Sequence, residues 1–310
     1  MKKPFALLLA GLLFGACQDM PKVEALQQEA AQEKGQQRAV AVVNQAPTKK
    51  DSMQFPWLEQ AIFAERIEDA MAPPAGYHWQ AAKAGSFGAW LAKLPLYPEG
   101  HKVHLYNGAQ KPYQAGAARV IQIDVGQSDL QQCADAIMRL YAEYAYAQKD
   151  YEGIFFNFTS GDRVGFSDWA KGKKPIVKGN RVYFSAAKGA ADYSYGNFRS
   201  YLKRIFMFAG TASLAAELPK KPLAQLEAGD LFLQGGFPGH AVLVMGVAKN
   251  KAGKKQFLLA QSYMPAQEIH LLRNLQAGGS PWFSLAEDEI LYTPEWNFPV
   301  GSLHSFLGRK

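Results

Sequence analysis

The sequence predicts an α+β fold, on three observations. Residues 128–149 carry Leu130, Cys133, Ile137, Leu140 and Tyr144 at helical spacing. Short β-type runs at 103–106, 118–125, 154–158, 181–185, 230–234, 240–247 and 257–262 are bounded by Gly, Pro, Asn or charged turns. With 310 residues, 48% of them hydrophobic and 13% aromatic, the chain is long and apolar enough for a sizeable core.

The chain opens with Met1-Lys2-Lys3, an apolar run from Pro4 to Phe14, and Gly15-Ala16-Cys17. A charged start, a short apolar run and small residues before a cut site predict an export signal over 1–16. The run is too short for a membrane-spanning helix, which needs about 20 residues. A cysteine just after the small residues is similar to a bacterial lipoprotein lipobox, which implies that Cys17 is lipidated and becomes the new N-terminus. Residues 17–54 read as a flexible polar tether, rich in Gln, Ala, Glu and Lys and without aromatics. A single globular domain is expected over 55–310. Net charge is +7, and loss of Lys2 and Lys3 leaves 7 − 2 = +5, which suits an anionic wall or lipid surface. No nucleic-acid motif is present, and export argues against such a partner.

Within the domain, Pro73-Pro74-Ala75-Gly76 is a turn and Ser86–Leu91 opens a short amphipathic piece. The runs at 103–106 and 118–125 read as strands. Ser128 with Gln131 suggests a capping box at the head of the long helix. Strands at 154–158 and 181–185 flank a Gly/Lys-rich loop. Two helices, 198–208 and 212–218, break at Gly210. Three strands then follow, with 250–255 as a polar hairpin tip.

With Cys17 acylated, Cys133 has no intramolecular partner among the two cysteines. An unpaired thiol outside the cytoplasm is either buried and inert or reactive and used. The order of residues favours use. Cys133 stands near the front of a helix, His240 at the front of a later strand, and Gln261 on the next strand. A helix N-terminus and an imidazolium both favour the thiolate nucleophile. His240 takes and returns a proton, and Gln261 orients its ring. Ser262 and Glu268 are rivals to Gln261, because register is not fixed by one sequence. Gln127 or Gln132 is the expected side-chain oxyanion donor. If Ser128 caps the helix, Cys133 lies five residues inside it, where its amide is already used. The catalytic reading therefore needs the regular helix to begin nearer Gln132.

Cys133 on its helix, Ala228-Gly229-Asp230-Leu231-Phe232-Leu233, and Gly239-His240-Ala241-Val242-Leu243-Val244 together resemble papain-like cell-wall hydrolases of the NlpC and CHAP types. That resemblance implies a papain-like core at about 118–300, with an antiparallel sheet, a Cys-led helix and an N-terminal extension. The long spacing from Cys133 to His240 requires an insertion, placed around 198–218. The body also resembles an uncharacterised family of bacterial lipoproteins, domain of unknown function 4846. The segments that carry this match are Ser86-Phe87-Gly88 with Trp90-Leu91, Asp129-Leu130-Gln131-Gln132-Cys133-Ala134-Asp135-Ala136, Ala209-Gly210-Thr211 with Ser213-Leu214, Pro238-Gly239-His240 and Ala260-Gln261-Ser262-Tyr263-Met264-Pro265-Ala266-Gln267.

The expected function is lipid-anchored, cysteine-dependent hydrolysis or transfer at amide or ester bonds, with peptidoglycan peptides as substrate. The alternative is a non-catalytic envelope module that binds a partner, wall or lipid. No cofactor is expected. His101-x-x-His104 has a spacing that suits neither a zinc helix pair nor a zinc finger, so no metal is expected either.

Overall fold

Strand His240–Asn250 is buried along nine consecutive residues, and the architecture follows from covering both of its faces. The computed structural model describes residues 54–58 and 65–309. The export signal, Cys17 and all but the last residue of the tether lie outside the described residues. The elements used below are β1 (Tyr77–Trp79), α1 (Phe87–Leu91), β2 (Ala117–Val120), α2 (Cys133–Ala147), α3 (Tyr195–Phe206), α4 (Thr211–Glu217), β3 (Leu231–Gln234), β4 (His240–Asn250), β5 (Lys255–Gln261), β6 (His270–Leu272), β7 (Trp282–Phe283) and β8 (Leu303–His304).

The main sheet runs β8-β3-β4-β5-β6-β2, with β1 paired to the far end of β4 and β7 paired to β5. Every pairing in it is antiparallel. Alternation along each strand sends side chains to opposite faces. Ala241, Leu243, Met245, Leu258 and Ala260 join a core with Ile137, Leu140, Phe198 and Leu214 of the helices. Val242, Val244, Phe257 and Leu259 join a second core with Leu226, Leu291 and Phe298. The protein is thus a mixed helix and antiparallel-sheet fold, as expected. Among the described residues, no helix is long and apolar enough to cross a membrane.

Some elements differ from the sequence reading. The run at 103–106 makes only single bridges, His104 to Gln110 and Leu105 to Gln267. The strand at 118–125 ends at Val120. The long helix begins at Cys133 and not at Ser128. Tertiary contacts override helix propensity in 128–132. Ser262 Oγ donates to the Gln131 carbonyl at 2.9 Å, and Ala266 N donates to Asp129 Oδ1 at 2.6 Å. Arg139 Nη1 donates to Gln131 Oε1 at 2.6 Å. The cap is then made by Gln132, whose amide donates to Asp135 Oδ2 at 3.1 Å.

Arg139 is fully buried and ties this segment to the helix. It donates through Nη2 to Asp124 Oδ1 at 2.8 Å and through Nη1 to the Asp124 carbonyl, and Nε lies 3.4 Å from Glu143 Oε1. Arg199 grips the same Asp124 carboxylate with both terminal nitrogens, at 2.9 and 2.7 Å. Burial alone would raise the Asp124 carboxyl; the Arg199 hydrogen bond and the Arg139 charge override it and hold the group below the usual carboxylate range.

Candidate active site

Cys133 is the first residue of α2, so its amide lies in the first turn, where backbone N–H groups have no intrahelical acceptor. Its thiol is half-buried and interacts with the backbone amides of Ala134, Ala241 and Cys133 itself. Ala241 adjoins His240, so the helix start meets the start of β4. Gly239 sets that start: a Cβ there would run into Thr211 Oγ1 and the Gly236 and Gln234 carbonyls. The turn before His240 therefore has room for glycine alone.

His240 is 1% exposed. The register Leu243↔Ala260, continued by one residue, sets Val242 against Gln261. His240 and Gln261 are then diagonal neighbours on one face. They are hydrogen bonded, with Nε2 of His240 2.9 Å from Oε1 of Gln261. Of the rivals, Ser262 donates to the Gln131 and Gln267 carbonyls, and Glu268 faces His101 and His104. Tyr263, Trp296 and Phe298 pack around the imidazole, with ring centroids at 4.9, 5.5 and 5.8 Å.

Two residues that sequence reasoning missed complete the arrangement. Gln261 Nε2 donates to Glu295 Oε2 at 2.6 Å, and Lys111 Nζ donates to the same oxygen at 2.5 Å. An ionised carboxylate only accepts, so the NH₂ end of Gln261 must face Glu295. Its carbonyl end then faces His240, and Nε2 of the imidazole must be the protonated nitrogen. Nδ1 is left with its lone pair, the state required of a general base. Neither Glu295 nor Lys111 lies in a periodic segment or a motif; their only signal is their fold-dependent proximity.

The electrostatics correct one expectation. Burial, reinforced by the Asp135 carboxylate, pushes the Cys133 thiol up to about 11, although three backbone amides pull the other way. Burial pushes His240 down to about 4, against the Gln261 hydrogen bond. At neutral pH the pair is a thiol and a neutral imidazole, where the sequence reading anticipated a thiolate–imidazolium pair. No hydrogen bond joins the two among the described residues.

Cys133 meets Ala241 at the start of β4 on the helix-covered face, whereas His240 and Gln261 lie at the same end of the sheet on the other face, with Val242, Trp296 and Phe298. Gln132 stands beside Cys133 as the helix cap, its side chain donating to Asp129 Oδ1 at 3.1 Å. Gln127 is exposed on a groove of about 410 Å³ whose wall includes Gly126, Arg199 and Lys203, with neither Cys133 nor His240 in it. Asp230 of the Gly-Asp pair is structural: its Oδ2 accepts from Lys221 Nζ and the Glu227 amide, both at 2.8 Å. A cavity of about 730 Å³ opens elsewhere, between Phe87, Tyr141, Tyr144 and Phe306.

Fold and site together define a mixed helix and antiparallel-sheet protein with a cysteine at a helix start and a His–Gln–Glu–Lys chain at the same end of the sheet. The chain belongs to the family described as domain of unknown function (4846), whose model matches residues 67–305. No curated protein and no solved structure matches it.

Proposed function

We propose that this chain is a lipid-anchored envelope protein with a papain-like core that hydrolyses or transfers acyl groups at amide or ester bonds. Peptidoglycan peptides are the favoured substrate. The observation that carries this reading is the fixed tautomer of His240: Gln261 and Glu295 hold Nε2 protonated and leave Nδ1 with its lone pair, while the Cys133 thiol meets the backbone amide of Ala241, the next residue in the chain. In the proposed reaction, Nδ1 accepts the thiol proton as sulfur bonds to the acyl carbon. First-turn amides and the Gln132 side chain stabilise the oxyanion, with Gln127 as the other candidate donor. The imidazolium then returns its proton to the departing amine or alcohol, and water or an acceptor amine resolves the thioester. The anchor rests on the lipobox-like sequence ending at Cys17, and Cys17→Ser is expected to release the protein from membranes.

The test is incubation of the purified chain with peptidoglycan and its soluble peptides, read by mass spectrometry of fragments and of Cys133. Cleavage, or an acyl adduct on Cys133, that vanishes in Cys133→Ser and His240→Ala supports the enzyme. One observation favours the second reading, a non-catalytic wall- or partner-binding module: the imidazole is almost wholly covered. A folded wild type that neither cleaves nor acylates, yet co-sediments with purified wall, establishes that module instead.

A further inference from the structure

The His101-x-x-His104 pair is joined in space by a third metal-ligating group. Glu268 lies 164 residues beyond His104 in sequence and meets both imidazoles. His101 Nε2 is 3.1 Å from Glu268 Oε2, and His104 Nδ1 is 3.3 Å from the same oxygen. The three ligand atoms all lie within 4.8 Å of one another. We propose that His101 Nε2, His104 Nδ1 and Glu268 Oε2 form a zinc site, which revises the expectation that the chain binds no metal.

The distances are those a shared ion would set. A charge-assisted N–H···O pair closes to about 2.7–2.9 Å, shorter than either contact. Ligands bound to zinc at about 2.0–2.1 Å stand about 3.3–3.4 Å apart along the edges of a tetrahedron, close to the separations here. The surroundings are also those of a held ligand set. Tyr97 stacks on the His101 ring at 4.0 Å and 12° and fixes its plane. The His104 amide donates to Glu268 Oε2 at 2.8 Å, an outer contact that orients the carboxylate. The side chains are 25%, 31% and 11% exposed, so a metal has a path in and a solvent-facing fourth position. Two imidazoles and one carboxylate suit zinc better than the hard cations that prefer all-oxygen sites. The site joins the loop before β2 to the segment that enters β6, and the cross-link is independent of Cys133.

The experiment is titration of the metal-free purified chain with Zn²⁺, followed by calorimetry and by melting, with Co²⁺ absorption as a second probe. One equivalent of Zn²⁺, a raised melting temperature and tetrahedral Co²⁺ bands are expected. Cys133→Ser is expected to keep all three. His101→Ala/His104→Ala, on the more exposed side chains, is expected to lose them while retaining the wild-type circular dichroism. Glu268→Gln is expected to weaken binding at least tenfold. No binding at 100 μM Zn²⁺ (a ceiling of about 5.5 kcal/mol), full binding by the double histidine variant, or loss of binding in Cys133→Ser would each overturn the proposal.

Discussion

The bond from Gln261 Nε2 to Glu295 Oε2, 2.6 Å long, decides what the other end of the same amide presents to His240. A carboxylate that touches neither the thiol nor the imidazole thereby selects which ring nitrogen carries the proton. Lys111 holds that carboxylate in turn, so the chain of control runs from a buried ammonium to the imidazole through two hydrogen-bonded side chains.

Glu295→Gln should therefore act on His240 at a distance. The expected outcome is a mixture of imidazole tautomers in place of one, read from ¹⁵N shifts of labelled histidine. The variant also leaves Lys111, 6% exposed, without its charge partner. A loss of about 3–5 kcal/mol is expected from a buried pair broken on one side. Lys111→Met/Glu295→Gln should recover much of that stability while the tautomers stay mixed. A single unchanged tautomer in either variant would refute the positioning role.

The thiol should titrate late. With Cys17→Ser, Cys133 is the sole cysteine, and thiolate absorbance near 240 nm reports it directly. The inflection is expected near 11, because burial and then Asp135 disfavour the thiolate. Asp135→Asn should move it down by removing the second cause while keeping the side chain's shape. An inflection below pH 8 in the folded protein would contradict this account of the site.

Acid should weaken the fold through His240. Its folded value is about 4 against 6.5 for the free group, so the native state prefers the neutral ring. This contribution is intact above pH 6.5. As pH falls below that value the unfolded chain binds the proton first, and stability declines until about pH 4. The expected loss at pH 5 is about 2 kcal/mol. Urea unfolding at pH 7 and pH 5 should show that decrement in the wild type and a smaller one in His240→Gln.

Arg139→Met should be among the most destabilising single changes. It takes the positive partner from fully buried Glu143, leaving it the Tyr195 hydroxyl at 2.8 Å, and removes one of two guanidinium partners of Asp124. A cost of about 3–5 kcal/mol is expected by chemical denaturation. It should also loosen 124–132, seen as earlier proteolytic cutting before the Cys133 helix. Wild-type stability and cutting would show that packing, and not the guanidinium, holds this segment.

Much of the sheet was legible because its strands carry their own signal. The apolar run from His240 and the one ending at Gln261 are recognisable alone, and the polar tip between them fixes their pairing as a hairpin. The head of the Cys133 helix was not legible, since Ser128 and Gln131 offer a local cap that contacts from Ser262, Ala266 and Arg139 override. The order Cys133, His240, Gln261 was visible, and the register of the β4–β5 hairpin separates Gln261 from its rivals. Glu295, Lys111 and the meeting of Glu268 with His104 were invisible for one reason. Each depends on loops brought together over 34 to 184 residues of sequence, with no periodicity to announce them.

β4 is sealed on both faces and hydrogen bonded to strands on both sides, and His240 sits at its first position. Amide protons in the middle of such a strand exchange with solvent only when the whole domain opens, while those at a strand end exchange through small local excursions. Slow exchange is thus expected from Val242 to Val247, falling off toward His240 and Gly239. The imidazole is anchored to the most persistent part of the molecule at one end and borders its hairpin turn at the other. Brief fraying of that turn is a route by which a covered ring meets a visiting ligand without disturbing the sheet that carries it.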